Sequence, residues 1–109
     1  MPFAAVYPLY IKKVERKGKT KEDVDTVIMW LTGYSLFELK KQVDKRVSFE
    51  EFFNQAPHIN PNVGLITGSI CGIKIQDIAD PLMKDIRYMD KLVDEVASGR
   101  AMKKILREG

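Results

Sequence analysis

Cys71 is the only thiol in the chain and His58 the only imidazole. With Asn60 as an orienting amide they form the smallest set that could run nucleophilic chemistry: a thiolate, a base to activate it and a group to hold the base. The surroundings favour a plainer reading. Cys71 stands beside Gly72 as a small apolar residue, and His58 lies in a loop between Pro57 and Pro61. A domain of this size would also have to supply an oxyanion site and a substrate pocket.

Metal chemistry has less to work with. There is no CxxC, HxH, HExxH or calcium-loop pattern. Asp90 and Asp94 share a helix face at i and i+4 with Glu95 adjacent, an oxygen-only set with no His or Cys. Interleaved with Lys91, it reads as a solvated face. No metal and no cofactor is expected. Gly64, Gly68 and Gly72 recur every four residues with Lys74 beyond them. A phosphate loop puts its Lys directly after the last Gly, whereas here Ile73 intervenes, so the glycines read as turn formers.

Binding chemistry is better represented. Lys12, Lys13, Arg16, Lys17, Lys19 and Lys21 cluster around one predicted turn, and Arg100, Lys103, Lys104 and Arg107 form a second group. If the two meet in space they make a phosphate-facing patch; if not, each is a solvated helix end that complements its own dipole. Thr20 to Val43 has the outline of a helix-turn-helix with Gly in the turn. Its would-be reading helix opens with Leu36, Phe37 and Glu38, which is apolar bulk and a charge that phosphate repels. A net charge of +3 and a pI of 9.0 permit an acidic partner without requiring one. Trp30 and Met29 lie off the Val24/Val27/Ile28/Leu31 stripe, and Phe37 lies beside the apolar face of its own helix. A helix apolar on more than one side is fully buried or covered by a partner. Trp30 with Tyr34, near the 58–62 loop, could also line a ligand pocket.

The elements that must position these residues are helical. The spacing predicts a first helix over Val6 to Lys17, with Pro8 in its first turn and Gly18 ending it. The second is bracketed by Thr20, whose capping partner is Asp23, and by Gly33. Ser35 with Glu38 opens a third, whose Leu36, Leu39 and Val43 face inward. Ser48 with Glu51 opens a short fourth that Ala56-Pro57 breaks. Asn60-Pro61 caps a short helix over Asn62 to Thr67. Ile70 to Ile75 fits a short strand or an extended buried segment. Asp80-Pro81 starts a long helix to about Ser98, with Leu82, Ile86, Met89, Val93 and Val96 as its stripe, and Ala101 to Arg107 makes the last.

At 109 residues, 45% hydrophobic and 30% charged, the chain reads as one all-α domain over residues 1–109. The expected form is a compact orthogonal bundle of five or six short helices, with at most one short extended segment near 70–75. One cysteine allows no internal disulfide, and no apolar run approaches the roughly 20 residues that span a bilayer. Together these predict a cytoplasmic protein that does not engage membranes.

Six blocks, YPLYIKKVERKGKTKEDVD, WLTGYS, NPN, CGIKIQDI, DPLMKDIRYMDKL and GRAMKKIL, together make the chain resemble one prokaryotic family, the domain of unknown function 2200. The resemblance covers nearly the whole chain. It implies a mostly helical fold and a bacterial, cytosolic protein, and it brings no catalytic or binding residue with it. The residues therefore point first to a non-catalytic protein that contacts an unknown protein partner or a second copy of itself through Trp30, Tyr34 and Phe37. The alternative is a nucleic-acid-binding adaptor using Lys12, Lys13, Arg16, Lys17 and Lys19. The third reading is a small-ligand or minor enzymatic role around His58, Asn60 and Cys71.

Overall fold

Phe3 sets the start of the first helix. Its ring is fully buried, stacks on Phe52 with centroids 4.0 Å apart, and its N–H donates to the Val47 carbonyl at 2.8 Å. In the computed structural model, which describes residues 2–66, 69–70 and 72–107, α1 therefore runs Phe3–Glu15, three residues ahead of the expected Val6. Pro8 falls in the second turn rather than the first. It gives up the bond to the Ala4 carbonyl, and it does so on an exposed face of the helix.

α2 (Lys21–Thr32) forms between its predicted caps. The Thr20 side chain accepts from the Asp23 N–H, and the Asp23 side chain reaches back to the Thr20 backbone. Gly33 ends the helix at φ +79°. α3 (Leu36–Asp44) opens on a complete Ser35–Glu38 capping box. Leu39 and Gln42 are buried beneath it and Val43 is half-buried, but Leu36 is 44% exposed, contrary to the inward direction expected of it. The buried direction of α3 runs between Leu39 and Gln42, and at about 100° per residue Leu36 lies roughly a quarter turn from it, with half-buried Val43 in between. α4 (Phe49–Asn54) is capped by Ser48, which accepts from the Glu51 N–H. Glu51 in turn accepts from the Ser48 hydroxyl at 3.4 Å rather than from its backbone, so half the predicted box forms.

The irregular middle resolves into small pieces. Asn60 caps a 3₁₀ turn over Pro61–Leu65, and Thr67 of the predicted short helix lies outside the described residues. β1 (Ser69–Ile70) and β2 (Ile73–Lys74) pair antiparallel with Ser69 opposite Lys74, so the segment near 70–75 is a minimal hairpin. Ile75 then begins a 3₁₀ turn and is fully buried. α5 (Pro81–Ala97) starts where predicted, with the Asp80 side chain accepting from the Leu82 N–H. α6 (Met102–Ile105) is shorter than the expected Ala101 to Arg107.

The protein is thus mostly helical with one tiny sheet. α5 is the axis, packed against α1, α2, α4 and α6. Its Met89, Leu92 and Val93 meet Val14 of α1 and Ile28 and Leu31 of α2 in one core. Phe3, Phe49, Phe52, Phe53 and Tyr34 form the aromatic part, in stacked and edge-to-face pairs. The Cα radius of gyration is 12.9 Å, close to the ~13 Å of a folded chain of about this length.

The joint between α2 and α3 is tight. A Cβ on Gly33 would lie 3.0 Å from the His58 carbonyl oxygen and 3.1 Å from its nitrogen. It would also demand a left-handed φ of an L side chain. Gly33→Ala is expected to cost about 1–3 kcal/mol in denaturant unfolding. A variant as stable as the parent would contradict this joint.

Candidate functional site

α1 is joined to its neighbours by phenol–carboxylate bonds. The Tyr7 hydroxyl donates to Asp25 of α2, and the Tyr10 hydroxyl donates to Asp90 of α5. Lys21 binds the other Asp25 oxygen at 2.8 Å, and Arg87 the other Asp90 oxygen at 3.0 Å. Asp25 is only 3% exposed, and a carboxylate so far from water is tolerable only with such partners. Burial, reinforced by Asp25, pushes the Tyr7 phenol up to about 12. Burial beside Asp90 raises Tyr10 further.

Lys13 extends the α1–α5 seam with an ion pair to Asp94 at 3.2 Å. Tyr10 meets Asp90 and Lys13 meets Asp94, so the contacts advance together along both helices. α1 and α5 therefore run parallel and finish at the same end of the molecule. This corrects the reading of Asp90, Asp94 and Glu95 as a solvated face. Asp90 and Asp94 are half-buried in the seam, and Glu95 is buried outright. Arg107 grips both Glu95 oxygens, at 2.6 and 2.7 Å, and Arg100 adds a bond at 3.0 Å. The Asn62 amide donates to the Arg107 carbonyl at 2.8 Å. The chain after α5 is thus strapped back over the Val96 end of that helix.

This strap brings the two basic groups together. Lys19 and Arg100 line one cleft of about 240 Å³ with Asp23, Val96 and Met102. Lys12 and Lys13 on the last turn of α1, Arg16 and Lys17 directly after it, and Lys103 and Lys104 on α6 are exposed. Lys13, Lys21, Arg100 and Arg107 are held by carboxylates. Lys12, Arg16, Lys17, Lys19, Lys103 and Lys104 carry no ion pair among the described residues.

The apolar candidates separate. Tyr34 is core: it is 5% exposed, its hydroxyl donates to the Phe52 carbonyl at 2.6 Å, and burial pushes its phenol up to about 12. Trp30 is half-buried against the core. Phe37 is 72% exposed beside Leu36, with the Lys41 ammonium 5.5 Å from its ring centre.

His58 and Asn60 serve the backbone. The His58 N–H donates to the Thr32 carbonyl at 3.1 Å and the Asn60 N–H to Leu31 at 3.0 Å, which satisfies the end of α2. The Asn60 side chain accepts from the Asn62 N–H at 2.9 Å, so its oxygen already serves as a cap. Cys71 lies outside the described residues. At the other end of α5, Glu50, Asp80 and Asp85 surround a cavity of about 410 Å³ floored by Phe53 and Leu82. Its carboxylates suit a cationic group. Among the described residues, no three His, Cys, Asp or Glu side chains are placed to hold a metal ion, and no helix is long and apolar enough to cross a membrane.

The family described as an uncharacterized protein conserved in bacteria, DUF2200, matches residues 1–107. The chain belongs to the DUF2200 family. It is similar to the uncharacterized protein SP1917, whose crystal structure superposes with a TM-score of 0.92 at 47% sequence identity, over 99% of this chain and 88% of that one. No curated protein matches it. Neither the family's description nor that of the solved structure carries an activity.

Sequence reasoning on this DUF2200 chain missed the acidic cavity, because Asp80-Pro81 was fully explained as a helix start and Asp85 matched no motif. Burial pushes the Asp85 carboxyl above its usual range, partly offset by Lys84. A raised folded value means that ionisation opposes folding. The cost is absent in acid and builds as pH rises through the carboxylate range. Asp85→Asn is therefore expected to be more stable than the parent near pH 7 and no more stable near pH 3, by thermal unfolding at both. Equal stability at neutral pH would contradict that burial.

Proposed function

We propose that this protein is a non-catalytic interaction module that works by contact with another protein, a second copy of itself in the first instance. The observation that supports this reading is the step formed by Leu36 and Phe37 at the start of α3. Both are large, apolar and outside. The step is rigid, because the Ser35–Glu38 capping box fixes the first turn of α3 and the Gly33 joint fixes its approach. A preorganised aromatic on a stiff element makes a contact with little ordering cost. The chemical candidates lend no comparable support to catalysis: Asn60 spends its side-chain oxygen on a turn, and His58 is anchored through its backbone.

Of the three aromatics first considered, Phe37 carries the contact, with Leu36 in place of Tyr34. An isologous pair would bury Phe37 twice. Sedimentation of the parent is expected to show a concentration-dependent dimer. Phe37→Ser should weaken it by about 3 kcal/mol or more while leaving the circular dichroism unchanged, since the ring is mostly in solvent. A parent that stays monomeric at every concentration would contradict the second-copy contact.

A further inference from the structure

The geometry points to a second, chemically separate surface: the end of the molecule where α1 and α5 both finish is a binding face for the phosphate backbone of a nucleic acid, held by charge and not by base reading. Residues 12–23 and 94–107 carry ten Lys and Arg against five Asp and Glu, whereas the rest of the chain carries eight against ten. The charge is therefore polarised although the net is small. The parallel α1–α5 register, held at Tyr10–Asp90 and Lys13–Asp94, puts both groups at that end. Lys19 and Arg100, eighty residues apart in sequence, line the same cleft.

Three of the five carboxylates in these segments are occupied, and Glu15 and Glu22 stand exposed beside the cations. Asp94 holds Lys13, Glu95 holds Arg100 and Arg107, and Asp23 accepts from the Thr20 backbone and hydroxyl. Lys12, Arg16, Lys17, Lys103 and Lys104 are exposed and Lys19 is half-buried in the cleft, and a polyphosphate displaces their counterions with a gain in entropy.

Three features select this occupant. Among the described residues, the exposed large apolar side chains Leu36, Phe37, Leu65, Ile73 and Met83 lie outside the two basic segments, and Leu9 alone stands one turn from Lys12 and Lys13 on the same face of α1. A bilayer surface wants such anchors among its cations. No exposed aromatic stands there either, so bases have nothing to stack on and the contact is to the backbone. The helix-turn-helix outline plays no part. The basic end holds the N-terminal end of α2, and α3 begins at its other end, about 18 Å away along a twelve-residue helix.

The test is fluorescence anisotropy of the full chain with a labelled mixed-sequence DNA duplex and a single-stranded RNA, between about 50 and 200 mM salt. Binding is expected at the low end. Its log–log salt slope should approach about −5 for the duplex if six cations each meet a phosphate. Lys12→Glu, Lys17→Glu and Lys103→Glu together should reduce affinity more than tenfold. Lys40→Glu with Lys45→Glu, on α3 and its C-terminal end, should cost far less. The substituted lysines are exposed, so each variant's fold is checked by circular dichroism. Absence of binding to either nucleic acid at low salt would overturn the proposal, as would a slope shallower than about −2. Equal weakening by the α3 pair, or binding to anionic phosphatidylserine vesicles without binding to nucleic acid, would also overturn it.

Discussion

Carboxylates removed from water dictate how this small fold is assembled. Asp25 and Glu95 are buried and Asp90 is half-buried, and an ionised carboxylate in that position is costly unless it is paired and hydrogen-bonded. Each finds partners from different parts of the chain. Asp25 takes Tyr7 and Lys21, Asp90 takes Tyr10 and Arg87, and Glu95 takes Arg100 and Arg107. Apolar burial supplies the cohesion, but it is nearly indifferent to sliding one helix past another by a turn. The polar pairs are not, because a slip would strand a charge. They set the α1–α2 and α1–α5 registers, and the Glu95 pairs fix the return of the chain after α5.

Those registers decide what the surface looks like. α5 spans about 25 Å at its seventeen residues, with carboxylates around a cavity at its start and lysines and arginines around its finish. Part of that polarity is local, since cations complement the negative ends of α1 and α6. The local effect places each basic group on its own helix end, and the parallel α1–α5 register with the Glu95 strap brings the two groups to one end of the molecule. The Leu36–Phe37 step belongs to neither pole. It sits at the far end of α2, positioned by Gly33 and by the His58 and Asn60 amides that close that helix.

The parts legible in the sequence are those fixed by near neighbours. Thr20 with Asp23, Ser35 with Glu38, Asp80-Pro81 and Gly33 all act within one turn, and each marks a helix boundary that the structure keeps. The start of α1 was not legible, because Phe3 is placed by Val47 and Phe52, more than forty residues on. Gln42 faces inward while Leu36 faces out because Gln42 finds Gln55 at 3.2 Å, a pairing that no periodicity contains. Glu95 looks like any solvated acid until Arg107 is seen twelve residues later, across a turn and a second helix. Of the candidate site, the cation clusters and Phe37 could be read from residue type. Their accessibility and their grouping could not, since both depend on the α1–α5 register.

A double-mutant cycle on Tyr10→Phe and Asp90→Asn tests the role of the polar seam directly. Both changes are nearly isosteric: Tyr10→Phe removes the donor and Asp90→Asn removes the charge that strengthens the bond, and both leave the packing in place. The seam predicts that the two effects on unfolding free energy fail to add, with a coupling of about 0.5–3 kcal/mol. Additivity within about 0.5 kcal/mol would mean that apolar packing alone holds α1 against α5, and that the carboxylates do not set the register.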